Sequence, residues 1–399
     1  MPASSKVCAV CCAAKTALLY ERALPAGTLS IGGRIELHAC RRCGYVFSEP
    51  RPTPEELDRY YRHNPLASGV NYLYTPSGLT PYRRDLMRRR VEVVSAAWQR
   101  PGDPSRVLDV GCSYGAFLAA LPWRSAEKWG IDPAPPAVEQ LEAQWFKALC
   151  ARLEDLHPDS LGAFEIITAM SVLEHLLDPR TAFMRLAELT APHGMLVVEL
   201  PETGRPIPLV CEYFDAEHLN HFTPQSFTNL AAQFKMSVTE IVRRADDPYR
   251  FWAVCRREER AEAQAAVERC EDLAPVIRRY AEESAAYRGA LRKRLADVLS
   301  AWQAEGRRPV IYGAGGHTLY LLELLPPEAG IACLYDSDPA KWGGELAGFR
   351  IFGPQELRSA PPSGVIISSY AAQESIAGFL MGLPGADIEI FRCYQSSQG

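Results

Sequence analysis

The sequence predicts an α/β protein with two parallel-sheet units set behind a small cysteine-bound head. Three observations predict it. Val107-Leu-Asp-Val110 has strand character, runs into a turn punctuated by Gly111 and Gly115, and leads into the helical stretch Ala116-Phe-Leu-Ala-Ala-Leu121. The same order of strand, glycine turn and helix restarts at Pro309-Val-Ile-Tyr-Gly-Ala-Gly-Gly-His-Thr318. Ahead of both, Cys8-Ala-Val-Cys11 and Cys40-Arg-Arg-Cys43 form two C-x-x-C knuckles.

Composition sets the bounds. A chain of 399 residues has room for two or three domains, each with its own core. Hydrophobic content of 47% and charged content of 23% belong to an ordinary globular protein. The net charge of −5 argues against nucleic acid as a partner. The N-terminal stretch lacks the apolar core of a secretory signal, and no long uncharged apolar run suggests a membrane span. Five of the twelve cysteines crowd into the first 43 residues at metal-like spacing. The rest are scattered singly, where reduced cysteine behaves as a small hydrophobe. The expected compartment is the cytoplasm.

In the head, residues 1–50, two short turns each supply two thiolates. That set suits a structural zinc on Cys8, Cys11, Cys40 and Cys43, with no open position for chemistry. Cys12 offers a C-x-x-x-C alternative on the first knuckle; Cys11 is preferred because it matches the second. Between the knuckles, Thr28 to His38 reads as a hairpin turning at Gly32-Gly33. Residues 51–105 form a bridge. Thr53-Pro-Glu-Glu56 is a capping-box pattern opening a short helix. A loop with Tyr72 and Tyr74 follows, then an amphipathic helix from about Tyr82 to Trp98, in which Arg88-Arg-Arg90 reads as a solvated face.

Residues 106–257 carry the chemistry. Gly111 and Gly115 allow a tight turn and the close approach of a ligand to the head of the following helix. Trp129-Gly-Ile-Asp132 is a second short strand ending in an acid, placed to accept ribose hydroxyls. Phe164-Glu-Ile-Ile-Thr-Ala-Met170 reads as a buried strand leading to Leu173-Glu-His175, and Met195-Leu-Val-Val-Glu-Leu-Pro201 as the fifth strand. Beyond it, Glu212-Tyr-Phe-Asp-Ala-Glu-His-Leu-Asn-His-Phe-Thr-Pro224 packs acids, histidines and aromatics into one loop. Strands Val238–Arg243 and Phe251–Arg256 close the sheet as an antiparallel ribbon. Residues 258–306 read as one or two linker helices, open to pairing with another chain. In residues 307–399, Ala332-Cys-Leu-Tyr-Asp336 is a second strand ending in an acid, while Thr318 replaces the third glycine of a dinucleotide fingerprint. That unit reads as structural or substrate-holding rather than as an NAD site.

The D-x-G-x-x-x-G turn, the acid ending strand two, the Leu-Glu-His loop and the fifth strand together resemble the class I S-adenosylmethionine methyltransferases. With the cysteine head and the C-terminal Rossmann-like unit, the chain resembles the deoxysugar C-methyltransferase family and its relatives in glycan and natural-product pathways. The resemblance implies S-adenosylmethionine contacts at Asp109, Gly111, Cys112, Gly115, Asp132 and Ala169, with Tyr74 as a lid residue. It implies catalytic roles for His175, Glu217 and His218, with His221 a further candidate base. The family's tyrosine three residues before its last histidine is Asp215 here. The expected function is methyl transfer to a small polar metabolite, a nucleotide-linked keto sugar, with carbon favoured over oxygen. The alternative is a zinc-ribbon methyltransferase or binding protein acting on RNA or protein.

Overall fold

The computed structural model describes residues 7–25, 33–63, 74–75, 78–79, 81–156, 158–257, 272–359, 361–370, 372–383 and 387–394. The head folds as a sheet of β1 (Thr16–Ala23), β2 (Arg34–Cys40) and β3 (Val46–Glu49). The expected hairpin is therefore set differently: its arms are Thr16–Ala23 and Arg34–Cys40, paired antiparallel from Thr16↔Cys40 to Ala23↔Arg34. Polar and apolar residues alternate along residues 34–39 of the second arm, whereas the first arm shows no such alternation. The turn itself, including Gly32, lies outside the described residues.

Helix α1 (Pro54–His63) begins with the expected capping box. The Thr53 amide donates to Glu56 Oε2 at 2.8 Å, and the Glu56 amide donates to Thr53 Oγ1 at 3.2 Å. Tyr72 lies outside the described residues. Tyr74 is described only in its backbone, in β4 (Tyr74–Thr75) paired with β5 (Gly78–Leu79). Helix α2 (Pro81–Ala97) corrects the reading of the arginine run. Arg88 is exposed between Asp85 and Glu92, but Arg89 and Arg90 are only 5% and 9% exposed. Arg90 grips Glu199 with two donors, at 2.9 and 2.5 Å. Burial pushes the Glu199 carboxyl up, but Arg90, with the charge of Arg250, outweighs it and brings it down to about 2. A buried arginine paired across 109 residues leaves no local trace in sequence.

The central unit is a seven-stranded sheet built on β6 (Arg106–Val110), β7 (Glu127–Asp132), β8 (Lys147–Cys150), β9 (Phe164–Met170) and β10 (Thr190–Pro201). These five are parallel in the order β8-β7-β6-β9-β10, and the order reverses direction on either side of β6. That reversal opens a crevice at the C-terminal strand ends, where open α/β sheets bind ligands. A two-residue strand, β11 (Asn220–His221), leaves this unit and pairs antiparallel with Phe47 and Val46 of β3, completing the head's sheet. The ribbon β12 (Met236–Arg244) and β13 (Asp247–Arg257) then closes the edge beside β10.

The linker is one helix over its described part, α3 (Ala274–Ala304). Its buried stripe, Ile277, Tyr280, Ser284, Leu291, Leu295, Leu299 and Trp302, advances by three, four or seven residues. The first part packs with Leu37, Phe214 and Val46; the second enters the core of the C-terminal unit. Over its described part the apolar stripe is thus covered from within. The C-terminal unit is a parallel sheet of β14 (Pro309–Tyr312), β15 (Leu334–Tyr335), β17 (Phe349–Phe352), β18 (Gly364–Ile367) and β19 (Glu389–Arg392), with β16 (Glu345–Leu346) antiparallel at its edge. Among the described residues, no helix is long and apolar enough to cross a membrane.

Candidate functional site

The glycine turn follows β6. Gly111 and Gly115 have φ of 68° and 74°, and Ser113 joins them at 48°. A Cβ at Gly111 would stand 2.6 Å from Val172 Cγ2, in the loop after β9, so the turn needs a residue without one. Gly115 caps a short helix over Ala116–Ala120. Asp132 ends β7 beside this turn. Its Oδ2 accepts the Ser113 amide at 2.9 Å and its Oδ1 the Ala134 amide at 2.9 Å. A carboxylate has about four acceptor sites, so capacity remains for two hydroxyls. Burial raises its pKa, against those two amides.

Asp109 is 4% exposed and accepts the Thr168 hydroxyl at 2.6 Å, under the turn and between β6 and β9. Burial lifts its carboxyl to about 7. Cys112 is 5% exposed, and Ala169 is fully buried in register with Val110 and Val198. The described set thus gathers Asp109, Gly111, Cys112, Gly115, Asp132 and Ala169 around the strand ends. The side chain of Tyr74 lies outside the described residues.

The second cluster lies past β9 and β10. His175 sits in a 3-10 turn over Leu173–His175, and His218 comes from the loop after β10. Their rings meet edge to face with centroids 4.9 Å apart. His175 Nδ1 is 3.0 Å from the Glu217 carbonyl oxygen. A carbonyl can only accept, so Nδ1 carries the hydrogen and Nε2 keeps a free lone pair. Burial lowers the pKa of His175. Asp215 Oδ1 accepts the amides of Glu217 and His218 at 3.0 Å each. The same oxygen lies 3.9 Å from His218 Nδ1.

His221 occupies a different environment. It is 4% exposed, in β11, with Nε2 2.8 Å from Ser48 Oγ. Ser48 spends its own hydrogen on the His218 carbonyl at 2.8 Å, so it must accept from His221 Nε2–H. That nitrogen is thereby occupied as a donor, and burial pushes the His221 pKa well down. The loop is pinned further. Tyr45 donates to Asn220 Oδ1 at 2.5 Å, and Arg51 donates to Asn220 Oδ1 at 2.8 Å. Tyr280 and Ser284 of α3 each donate to Glu212 Oε2 at 2.7 Å. Sequence reasoning missed these anchors, and it also missed Glu174, a 1% exposed carboxyl beside His175.

The head gathers its own cluster. The sulfurs of Cys8, Cys11, Cys40 and Cys43 all lie within 4.8 Å of one another, with Cys8–Cys43 and Cys11–Cys40 at 3.5 Å. Four sulfurs held tetrahedrally at ~2.3 Å from zinc would lie about 3.8 Å apart, so the donor set fits that ion. Amides of Cys11 and Arg42 point at the sulfurs of Cys8 and Cys40, both at 3.4 Å, as suits thiolates. Cys12 is exposed and outside the cluster.

Comparison with known proteins accords with this geometry. Residues 81–241 match the family model described as a methyltransferase domain. The chain therefore carries a methyltransferase domain on an α/β fold. The ubiquinone biosynthesis O-methyltransferase of Chromobacterium violaceum is 28% identical over 122 residues, which cover 29% of this chain and 49% of that one. Its namesake from Xanthomonas axonopodis pv. citri is 33% identical over 113 residues, covering 27% and 46%. The chain thus spans about half the length of the curated relatives it matches. Among solved structures, the N-methyltransferase NodS of Bradyrhizobium japonicum with S-adenosyl-L-homocysteine aligns at 19% identity. It covers 51% of this chain and 98% of that one, with a TM-score of 0.37.

Proposed function

We propose that the protein transfers a methyl group from S-adenosylmethionine to a small polar acceptor. The acceptor class we favour is a nucleotide-linked keto sugar, with methylation at carbon preferred over oxygen. The observation that carries the reading is the meeting of His175 and His218 beyond the strand ends that hold the glycine turn and Asp132. Asp132 takes the ribose hydroxyls, Gly111 and Gly115 leave room for the nucleoside, and Asp109 braces the turn from beneath. Bound S-adenosylmethionine supplies a methyl group already activated on a sulfonium. What the protein adds is alignment, which brings reacting atoms to about 3 Å, and a proton acceptor. His218 removes the acceptor proton, Glu217 orients the base or the substrate, and His175 forms the facing wall. Cys8, Cys11, Cys40 and Cys43 hold a structural zinc, with four protein ligands and no open position.

A second reading places the methyl on oxygen. It is favoured by the names of the matched relatives, both O-methyltransferases. Action on RNA has the net charge of −5 against it. A thermal-shift panel of nucleotide sugars, run beside RNA at varied salt, tests the acceptor class. Stabilisation by a nucleotide sugar and not by RNA supports the proposal; a salt-dependent response to RNA alone overturns it.

Asp132→Ala removes the ribose contact. It should weaken S-adenosylmethionine binding by about 1.5–3 kcal/mol, the range for hydrogen bonds to charged groups. Calorimetry reads this directly, and unchanged affinity would refute the assignment.

A further inference from the structure

Glu174 is a buried ionisable group beside the two histidines that the scheme above leaves without a task. It is 1% exposed, and its Oε2 is buried with no hydrogen-bond partner. Glu174, His175 and His218 each offer one atom to a group in which all three lie within 4.8 Å of one another. Its other oxygen, Oε1, is 4.0 Å from His175 Nε2, the nitrogen whose lone pair is free. The main chain of the same residue closes the arrangement: the Leu219 amide, one residue past His218, donates to the Glu174 carbonyl at 2.7 Å. The loop after β9 and the loop after β10 are thereby locked together where the carboxyl meets the two rings.

We propose that Glu174 is the positioning residue of the His175–His218 pair, its buried carboxylate balancing the imidazolium that forms when His218 takes the acceptor proton. The inference rests on the methyl-transfer reading for its chemistry. Above about pH 7, where Glu174 is ionised, the proton balance is simple: the acceptor loses one proton, the pair gains it, and the three-residue group passes from net −1 to net 0. An isolated buried carboxylate is costly, so the group gains by taking up a proton, and His218 is where that proton arrives. Burial raises the Glu174 carboxyl to about 7, against the opposing influence of His175. Other groups facing the cluster are Asp215 and Glu217 from the loop after β10, and Tyr213 upstream on it. Glu199 of β10 and Arg250 of β13 face it from the sheet, with His221 and Arg51 behind His218.

The experiment uses the full-length protein with Glu174→Gln and Glu174→Asp. Loss of the negative charge makes the imidazolium less favourable, so the histidine titration followed by NMR should move down by about one pH unit in Glu174→Gln. With an acceptor in hand, the acidic limb of kcat/KM should move the same way, and kcat should fall about 10-fold or more. Glu174→Asp should restore part of both. Stability provides the control. A carboxyl raised in the folded state favours folding most below its unfolded pKa of ~4.3 and loses that advantage as pH rises through about 7. Glu174→Gln should therefore unfold no more easily than wild type at pH 8. An unmoved histidine titration in a folded Glu174→Gln protein overturns the proposal. So does a second bound metal, beyond the thiolate zinc, that Glu174→Gln releases, since the three residues would then be ligands. The titration needs no acceptor, so a shift without methyl transfer would sink the functional reading and leave the charge coupling standing.

Discussion

Cys40→Ser should release the zinc and loosen far more of the protein than the head. Free energies of binding at structural thiolate sites are on the order of 10–16 kcal/mol at neutral pH, larger than the stability of most domains. The four-stranded sheet also buries Leu37, Val46 and Phe47 against the rest of the protein, so loss of the metal is transmitted through those contacts. Yet that sheet is also where the candidate catalytic loop is anchored: β11 pairs with β3, Ser48 holds the His218 carbonyl, and Tyr45 and Arg51 hold Asn220. Metal analysis should find about one zinc per chain in the wild type and none in Cys40→Ser. Turnover should collapse with the zinc, while S-adenosylmethionine affinity, which we propose rests on the glycine turn and Asp132, should change little. Zinc retained in full by Cys40→Ser would show the ligand set to be wrong. Zinc lost with turnover intact would show that the loop does not depend on the head.

The linkage between head and loop separates what is legible in sequence from what is not. The knuckles, the two glycine turns and the strand-ending acids are written in contiguous residues, because each depends on a local backbone requirement. β11 is two residues long, too short to carry a period, and its partner lies across the chain from Asn220 to Phe47. The same holds for Arg90 and Glu199. Three arginines in a row look like a solvated face until the long-range carboxyl that buries one of them is known. His221 shows the reverse case. Its residue type and its neighbours suggested chemistry, but the strand pairing fixes it as a donor to Ser48 in the head's sheet. Glu174 escaped notice because nothing local distinguishes a solvated loop glutamate from one sealed against two histidines.

The base itself is the sharpest test of the site. His218→Ala should lower kcat by about 10²–10⁴-fold, the usual worth of a general base, and leave S-adenosylmethionine affinity nearly unchanged. The split matters, because a loss of affinity would mean that the substitution disturbed the glycine turn rather than the chemistry. His218 is partly exposed, with its side chain at 21%, so truncation there should cost little stability. If the methyl goes to carbon, the wild type should exchange the acceptor's α-proton with deuterium from solvent, even with S-adenosylhomocysteine in the cofactor site. His218→Ala should abolish that exchange, since proton removal precedes and does not need the methyl group. Near-normal turnover in His218→Ala would move the role to His175, whose Nε2 has the free lone pair; His221 is disfavoured by its bond to Ser48. Methylation at oxygen, with no exchange in the wild type, would keep the methyl transfer and remove the protein from the carbon-methylating branch.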